Sequence, residues 1–323
     1  MTKVRFGVLS TAKIAKNALI PAIERAHNAE VVAVASESGK AKEFAAELGI
    51  PKHYESYIDL LNDPEIDAVY IPLPNQLHKQ WAIEAAKHGK HVLCEKPAAL
   101  TSQDVEEMVA VFKENNVIFM EAFMYQFHPQ HNRVKEMITA GEIGDVKLIR
   151  LTFSFFLDLQ SDNIRLNKDL GGGVLYDVGC YCIHASRLIT GEEPVEVKAT
   201  ANIHQTHGVD LTVAGTLKFE SGVIANFDCS FEQPFKESYE VVGTKGSIIA
   251  KHAFRPDNQA GNAVLVVNTE AGQREETVQG DQYKLQVEHF AESVLSNKLP
   301  MYSAEETIKN MRVIEQALAQ VHH

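Results

Sequence analysis

The first third of the chain alternates short apolar runs with segments of helical periodicity, and this alternation limits the possible folds more than any other feature. The apolar runs are residues 4–9, 30–35, 68–71, 91–94 and 117–122, and the helical segments are residues 12–26, 40–48, 57–61, 76–87 and 102–115. Strands that are apolar throughout are buried on both faces, as in a parallel sheet covered by helices. Since crossovers between parallel strands are right-handed, the sequence predicts a doubly wound α/β domain.

The pattern of apolar residues changes near residue 145, where longer stretches follow one another in which apolar and polar residues partly alternate. These stretches are residues 147–157, 195–203, 211–219, 223–231 and 237–242, with turn signals at residues 220–222 (ESG) and 243–246 (GTKG). They predict a large, mostly antiparallel open sheet with helices at residues 175–189, 287–295 and 304–321. We therefore expect a Rossmann-type domain at residues 1–122 and a C-terminal α+β domain at residues 123–323.

The composition excludes several classes of protein. A formal net charge of −12 argues against a nucleic-acid or anionic-membrane partner. Hydrophobic residues make up 45% of the chain, yet no apolar run approaches the ~20 residues of a membrane span. Among the four cysteines, Cys180 and Cys182 are two apart, which fits neither a redox pair nor a zinc knuckle. These features predict a reduced, cytoplasmic protein.

The turn after the first strand is the first candidate site. We expect Gly7 to end the strand, and a dinucleotide fold needs small residues next, so that a pyrophosphate can reach the amides at the helix N-terminus. Ser10 and Ala12 stand where glycines are expected, so this motif alone does not distinguish a cofactor site from a turn without a ligand. The residues predicted here to bind the cofactor are Gly7, Ser10, Thr11, Ala12 and Ile14.

Two further strand ends carry polar side chains at the same predicted sheet edge. Residues 67–78 read DAVYIPLPNQLH and residues 89–97 read GKHVLCEKP, so that Lys96 follows a buried strand and Pro97 stops it. The alternative interpretation is that Lys96 is a solvated loop lysine and that His78 is structural. The residues predicted to bind the cofactor in these segments are Pro72, Leu73, Asn75, His78, Glu95 and Lys96.

A glycine-rich loop leads into a helix with a polar face. Residues 171–184 read GGGVLYDVGCYCIH, and Asp177, Tyr181 and His184 fall at helical positions i, i+4 and i+7. A carboxylate, a phenol and an imidazole on one face could position a polyhydroxyl substrate and move its proton. A partly exposed polar face without a catalytic role would show the same spacing.

Together these segments resemble the glucose–fructose oxidoreductase / inositol dehydrogenase / MocA family over nearly the whole chain. The matching motifs are residues 95–97 (EKP), residues 171–184 and residues 120–129 (MEAFMYQFHP). Inositol dehydrogenases carry a histidine at the position of Tyr181, and this tyrosine is similar to the branch with dimeric dihydrodiol dehydrogenase and NADP-dependent xylose dehydrogenases. Gln126 departs from the arginine that relatives often have, which leaves the exact substrate open.

The resemblance implies an NAD(P)-dependent oxidoreductase that moves a hydride to or from a sugar, inositol or vicinal diol. Lys96 and Asp177 are implied as active-site residues, and we expect Tyr181 to exchange a proton with the substrate while Lys96 favours its phenolate. The predicted substrate-binding residues are Lys96, Phe123, Tyr125, Asp177, Tyr181 and His184. The alternatives are a non-catalytic, nucleotide-responsive regulator and a reductase of imines or tetrapyrroles.

The choice between NADP and NAD depends on the end of the second strand. NAD enzymes place an acid there to bind both ribose hydroxyls, whereas NADP enzymes replace it and add a cation. Here Ser36 aligns with the acid, Glu37 follows, and Lys40 can supply the cation. Strand alternation is expected to turn Glu37 away from Ser36, so we favour NADP, with NAD as the alternative.

Other features complete the sequence predictions. His128 and His131 are three residues apart, but no carboxylate or cysteine completes a metal site, so no metal is expected. The open sheet face is expected to be covered in a homodimer or homotetramer. The terminal His322 and His323 are predicted to have no ordered structure.

Overall fold

The computed structural model describes residues 2–321, so the prediction for His322 and His323 lies outside the described residues. The chain forms two compact units. The first runs to Met124 and also takes up Tyr283–Ile308, and the second comprises Tyr125–Gln282 and the chain from Lys309. None of the helices in the described part is long and apolar enough to cross a membrane.

The first unit is built on a six-stranded parallel sheet in the order β3-β2-β1-β4-β5-β6. Its strands are β1 Val4–Leu9, β2 Ala29–Ala35, β3 Lys52–Tyr54, β4 Ala68–Ile71, β5 His91–Cys94 and β6 Phe119–Glu121. The central strand β4 is buried at every position, as expected for a strand with helices on both faces. The predicted doubly wound α/β architecture is confirmed.

Helices connect these strands and place their N-termini at the carboxyl edge of the sheet. They are a π-helical turn Ala15–Leu19 that continues into α1 Ile20–Arg25, then α2 Ala41–Leu48, α3 Tyr57–Leu61, α4 Asn75–Lys87 and α5 Ser102–Glu114. Their boundaries follow from local chemistry. The Thr101 side chain caps α5 by accepting from the Asp104 amide at 3.0 Å, and Gly49 ends α2 with a φ of 66°.

The second unit is built on an eight-stranded sheet in the order β14-β13-β12-β11-β7-β10-β9-β8. Its strands are β7 Val146–Phe156, β8 Pro194–Ile203, β9 Asp210–Phe219, β10 Ile224–Ser230, β11 Glu232–Gly243, β12 Gly246–Ala250, β13 Asn262–Thr269 and β14 Gly272–Gln279. Only the β7–β10 pair is parallel among these neighbours, so the predicted mostly antiparallel sheet is confirmed.

The remaining helices are α6 Pro129–Thr139, a π-helical turn Leu175–Gly179 that continues into α7 Cys180–Thr190, α8 Gln282–Ser296 and α9 Ala304–Val321. The turn and α7 pack on the face of the sheet formed by the buried alternate residues of β7 and β10, including Phe153 and Cys229. The opposite face carries polar side chains such as Arg150 and Asp228. One face of the sheet therefore positions the helix of Asp177 and Tyr181.

Several elements differ from the sequence prediction. Strands β3, β12, β13 and β14 and helix α6 are absent from the predicted segments, although the turn signal at residues 243–246 leads into β12. Tyr283–Ile308 also belongs to the first unit, although the predicted division places these residues in the second domain. Phe290 in α8 is fully buried, with its ring 5.7 Å from that of Phe6 in β1, so apolar packing holds this returning segment on the first sheet.

Candidate active site

The turn after β1 keeps the backbone shape of a glycine turn without its glycine. Ser10 has a φ of 126°, a conformation that side chains rarely adopt, and its amide donates to the Ala35 carbonyl at 2.9 Å. Thr11, Ala12 and Ile14 follow at the start of the helical segment, where the first amides have no partner within the helix. This turn therefore still offers amide donors to an anion.

Gly7 does not have the predicted place at the end of the strand, because β1 continues to Leu9. A Cβ atom at Gly7 would lie 2.7 Å from Leu60 Cδ2 and 3.3 Å from Ile66 Cδ1. The glycine is therefore required for packing of the sheet against α3. Its contact with a cofactor stays a prediction.

The end of β2 presents two hydroxyl groups. Ser36 is buried, its amide donates to the Tyr54 carbonyl at 3.1 Å, and its Oγ lies 2.9 Å from Ser38 Oγ. Glu37 and Lys40 are both exposed, as the alternation of the strand predicts for Glu37. At the position aligned with the ribose-binding acid, the structure therefore has a hydroxyl, with a lysine four residues later.

Lys96 follows β5 in a loop that several contacts hold in place. The Lys96–Pro97 peptide bond is cis, and both Lys96 and Glu95 are partly exposed. The buried Tyr70 hydroxyl donates to Glu95 Oε1 at 2.5 Å, and burial together with this carboxylate raises the pKa of Tyr70. Tyr70 lies in β4, so the loop that carries Lys96 is tied to the neighbouring strand.

His78 differs from its predicted role in binding the cofactor. Its side chain is 0% exposed, its Nδ1 lies 2.8 Å from the Pro97 carbonyl oxygen, and its Nε2 lies 2.7 Å from that of Leu73. Burial lowers the pKa of His78. The ring thus bridges the loop after β4, which holds Pro72, Leu73 and Asn75, to the loop after Lys96, and neither nitrogen points to open space.

Glu121 at the end of β6 is a functional candidate that the sequence prediction missed. Its Oε1 accepts from the Ala98 amide at 2.8 Å, and its Oε2 accepts from the Tyr302 hydroxyl at 3.1 Å. Burial raises the pKa of Glu121 to about 7. The signal available in the sequence is a lone carboxylate that ends an otherwise apolar strand, since such a group needs buried partners.

In the second unit, Asp177 is paired with a cation. Arg165 Nε donates to Asp177 Oδ2 at 2.6 Å, and the Arg165 guanidinium carbon lies 5.7 Å from the centre of the Phe155 ring. Asp177 belongs to the π-helical turn before α7, and Tyr181 follows one turn later. The sequence prediction did not include Arg165.

The glycines before this helix have structural roles. A Cβ atom at Gly172 would lie 2.6 Å from the Arg165 carbonyl oxygen, and one at Gly173, whose φ is 116°, would lie 2.3 Å from Asp210 Oδ1. Asp210 is itself buried and accepts from the Leu175 amide at 2.7 Å, so it caps the start of the helical segment. The glycines permit these close approaches, which were predicted instead for a ligand.

Tyr181 lies among aromatic rings. Its side chain is 5% exposed, and its ring centre lies 5.3 Å from that of Phe153, 5.6 Å from that of Tyr125 and 5.6 Å from that of Phe254. These edge-on and tilted contacts fix the orientation of the phenol. The structure therefore brings Asp177 and Tyr181 together on one helical segment, as the spacing predicts.

Three predicted substrate-binding residues have no open surface. Tyr125 and Phe123 are 0% exposed, and His184 is 3% exposed with its Nδ1 hydrogen-bonded to the Tyr125 hydroxyl. Burial lowers the pKa of His184, so a neutral imidazole faces this phenol. The Tyr125 ring contacts that of Tyr181, and His184 holds Tyr125 in place. Phe123 packs edge-on against Tyr302 in the first unit.

The two histidines considered for a metal have other partners. His128 caps α6 by accepting from the Gln130 amide, and its Nε2 lies 3.1 Å from the Gly261 carbonyl oxygen. His131 Nδ1 lies 3.0 Å from the Tyr239 hydroxyl. Within residues 2–321, no group of three potential ligands is arranged to hold a metal ion.

The first unit fits a nicotinamide dinucleotide on its own geometry. Ser10 keeps a positive φ at the turn before the amides of residues 11–14, and the hydroxyls of Ser36 and Ser38 follow the end of β2, where folds of this kind bind a ribose. Lys96 follows the carboxyl end of β5, at the edge where such folds bind ligands. These three groups follow strands of one parallel sheet at its carboxyl edge, where folds of this kind bind ligands.

Comparisons with known proteins agree with this geometry. Residues 4–123 match a family model described as an oxidoreductase family with an NAD-binding Rossmann fold, and residues 131–249 match one described as the GFO/IDH/MocA C-terminal domain. A D-xylose 1-dehydrogenase (NADP(+)) from Haloferax volcanii is 40% identical over 96% of this chain and 95% of its own. A trans-1,2-dihydrobenzene-1,2-diol dehydrogenase from Xenopus laevis is 35% identical over 76% of this chain and 74% of its own. The crystal structure of the 3-ketoreductase KijD10 from Actinomadura kijaniata, with NADP and TDP-benzene, superposes with a TM-score of 0.93 at 30% identity, covering 99% of this chain and 98% of its own.

Proposed function

The chain belongs to the GFO/IDH/MocA family of oxidoreductases, and we propose that it is an NADP-preferring dehydrogenase or reductase of a sugar, inositol or vicinal diol. Binding of a nicotinamide dinucleotide and oxidoreductase activity follow from the family. The observation that carries the proposal is the helical segment that presents Asp177 and Tyr181 one turn apart. A phenol and a carboxylate so placed suit a hydroxyl or carbonyl group that gains or loses a proton.

The class of substrate is supported by the relatives. The names of two of them specify xylose and a dihydrodiol. A third relative, of known structure, is the aldose-aldose oxidoreductase from Caulobacter crescentus, which is 26% identical to this chain and superposes with a TM-score of 0.91. All three act on vicinal hydroxyl or aldose groups by name. We carry this shared chemistry, and no single compound, over to this chain.

We propose the following roles for the side chains. Tyr181 donates a proton to the substrate oxygen in reduction and accepts it in oxidation, and Asp177 orients the substrate. Lys96 is the cation that polarises the reacting oxygen of the substrate. The nicotinamide, when bound, supplies the hydride acceptor or donor. Tyr125 and His184 keep the Tyr181 ring in place through the contacts described above.

A scan of aldoses, inositols and vicinal diols, with cyclic imines as a separate arm, tests the proposal through nicotinamide absorbance. We expect turnover with polyhydroxylated compounds and none with imines. Lys96→Met removes the polarising cation and Tyr181→Phe removes the proton-transfer group. Each should lower kcat by about 10²–10⁴-fold while NADPH binding persists, because neither change alters the nucleotide turn.

The exposed Lys113, which forms a surface pair with Glu305 at 2.8 Å in the same unit as Lys96, provides the control Lys113→Met. This variant should keep wild-type turnover, since surface pairs contribute little. Wild-type kcat in Lys96→Met would remove Lys96 from the mechanism. If the protein turns over only imines, the proposed substrate class is wrong.

We also propose that the protein is a homodimer or homotetramer in which a second copy covers the open face of the eight-stranded sheet. Phe156 on β7 is 74% exposed, and a shallow groove of about 600 Å³ on the same sheet is lined by residues that include Lys198, Thr216 and Asp228. A monomer by light scattering at micromolar concentration would contradict this proposal. A cytoplasmic location is proposed as well, and it is supported by the four cysteines, none of which forms a disulfide.

A further inference from the structure

Arg165 holds the proposed catalytic carboxylate from a separate loop. It lies in the 3-10 turn Ile164–Leu166, twelve residues before Asp177, and its Nε donates to Asp177 Oδ2 at 2.6 Å. The guanidinium also lies against the Phe155 ring, 5.7 Å from its centre, so an aromatic face and a carboxylate fix it from two directions. The orientation of the Asp177 side chain is thus set by a charge outside its own helix.

The backbone around Arg165 is fixed just as closely. The Arg165 amide donates to Asn163 Oδ1 at 3.0 Å, and the Arg165 carbonyl oxygen accepts from the Gly173 amide at 3.0 Å. Gly172 permits this approach, because any side chain there would collide with the same carbonyl oxygen. The glycine-rich loop therefore holds the Arg165 segment against the start of the helix that carries Asp177 and Tyr181.

The exposure of the pair argues that its main value is not stability. The side chain of Arg165 is 39% exposed and that of Asp177 is 14% exposed, so water screens the cation and the pair adds less to stability than a fully buried pair would. Asp177 is the largest cause of the raised pKa of Arg165, and Tyr181 contributes in the same direction. The cation thus pairs directly with Asp177, and Tyr181 lies one helical turn beyond that carboxylate.

We propose that Arg165 is a positioning residue of the active site, which orients Asp177 and stabilises the tyrosinate form of Tyr181. This inference rests on the proposed function and adds a second cation to it. Within its unit, Tyr181 contacts the Tyr125 ring from the turn Met124–Phe127, follows Asp177 on the same helical segment, and interacts electrostatically with Arg165 from the 3-10 turn. Among them Arg165 is the one positive charge, so its loss makes the tyrosinate harder to form.

A titration that needs no substrate tests the electrostatic part of the proposal. The absorbance of tyrosinate is followed with pH in the wild type and in Arg165→Gln, and the signal of Tyr181 is isolated by subtracting the matching Tyr181→Phe variants. The midpoint for Tyr181 should move up by on the order of one pH unit when the cation is removed. An unchanged midpoint in a folded Arg165→Gln protein overturns the proposal, whether or not a substrate has been found.

Kinetics test the positioning part. Arg165→Gln should lose about 10²-fold in kcat/KM, with the acidic limb of the oxidation profile moved to higher pH and NADPH binding kept. Guanidinium ion added to Arg165→Ala should restore part of the turnover, which a purely structural defect would not show. Wild-type kcat/KM and an unmoved profile in Arg165→Gln contradict the proposal, whereas an inactive wild type contradicts the proposed function instead.

A matched control and a conservative variant complete the design. Arg133 in α6 is 36% exposed and pairs with Glu276 at 2.8 Å, so Arg133→Gln removes an equally exposed paired arginine away from Tyr181 and should change neither readout. If Arg165→Gln does not fold, Arg165→Lys carries the test. The lysine of this variant keeps the positive charge, so the titration midpoint of Tyr181 should not change. It lacks the planar guanidinium that orients Asp177, so kcat should fall about tenfold. Wild-type kcat in Arg165→Lys overturns the positioning role.

Discussion

Single positions show where a backbone conformation persists without the residue type that usually provides it. Ser10 has a φ of 126° in the turn after β1, where dinucleotide-binding folds commonly place glycine. A non-glycine residue in a sparsely populated region costs on the order of 1–3 kcal/mol, which the surrounding structure must offset. The turn shape is thus set by the sheet and the helix, and the serine conforms to it.

Replacing this serine should stabilise the protein. Ser10→Gly removes the strain, and part of the gain is offset by the larger backbone entropy of glycine in the unfolded chain, so we expect a net gain of about 1 kcal/mol in thermal unfolding. Ser56, with an ordinary φ of −131° and no capping hydrogen bond, is the control. Ser56→Gly should lose a few tenths of a kcal/mol. A destabilised Ser10→Gly protein would show that the serine hydroxyl matters more than the strain.

Ser36 should determine the preference for NADP. Ser36→Asp places a carboxylate where it can accept from both ribose hydroxyls of NAD and repel a 2′-phosphate, so kcat/KM should fall at least about tenfold with NADP and rise with NAD. The neighbouring Glu37 is exposed, and Glu37→Gln should leave the ratio nearly unchanged. A wild type that strongly prefers NAD, or a ratio that changes with Glu37→Gln, would show that Glu37 interacts with the ribose.

Residues that act through distant partners mark the limit of sequence prediction at this scale. Asp177 and Tyr181 could be found because helical spacing puts them on one face. Arg165, Glu121 and Asp210 were missed because their partners, Asp177, the Ala98 amide and the Leu175 amide, lie 12 to 35 residues away along the chain. His184 was assigned to the substrate for the converse reason, since spacing does not reveal that Tyr125 covers it.

At the scale of secondary-structure elements, the apolar strands and amphipathic helices of the first unit were predicted well, whereas the apolar strand β13 and the polar edge strand β14 were missed. The bounds Tyr57–Leu61 and Ala304–Val321 agree with the predicted helices. Strand β14 reads GQREETVQ, and as an edge strand with mostly exposed side chains it has no apolar alternation to detect. Helix α6 did carry a signal, because a proline at its first position after His128 is a common helix start.

The returning helix α8 gives a test at this scale. Phe290 is fully buried against Phe6, so Phe290→Ala should destabilise the first unit by about 3–5 kcal/mol. Trp81 in α4, the only tryptophan of the chain, reports unfolding of this unit by fluorescence in urea. Leu299→Ala, at a residue 78% exposed, should stay within about 0.5 kcal/mol of the wild type. If the urea unfolding transition reported by Trp81 is the same in Phe290→Ala as in the wild type, packing of α8 does not contribute to the stability of the first unit.

For the molecule as a whole, histidines that are buried or half-buried in the folded chain connect folding to pH. Burial is the largest cause of a lowered pKa at seven histidines, and for His131 it brings the pKa to about 3. These residues are His78, His91, His128, His131, His184, His252 and His289. Below their ordinary pKa of 6.5 the unfolded chain binds protons that the folded chain does not. Stability is therefore fully present above about pH 6.5 and is lost as the pH falls toward the folded values.

Two buried carboxyl groups act in the opposite direction. Burial raises the pKa of both Glu121 and Glu237 to about 7 from an ordinary value of 4.5. Their contribution is fully present below about pH 4.5 and is lost as the pH rises through 7. Between pH 4.5 and 6.5 the two groups of residues therefore compete. The seven histidines outnumber the two carboxyls, so the histidines set the sign of the net effect.

The free energy of unfolding in urea should accordingly rise between pH 5 and 6.5, by about 1.4 kcal/mol per pH unit for each net proton that the unfolded chain binds in excess. His131→Phe removes one of these protons, so its slope should be smaller by up to about that amount, even if the loss of the contact with the Tyr239 hydroxyl lowers stability at every pH. His53 is exposed, and His53→Gln should keep the wild-type slope. If the free energy of unfolding of the wild type is flat or falls over this range, the two glutamates outweigh the histidines. If His131→Phe and His53→Gln show equal slopes, His131 takes up its proton in the folded state.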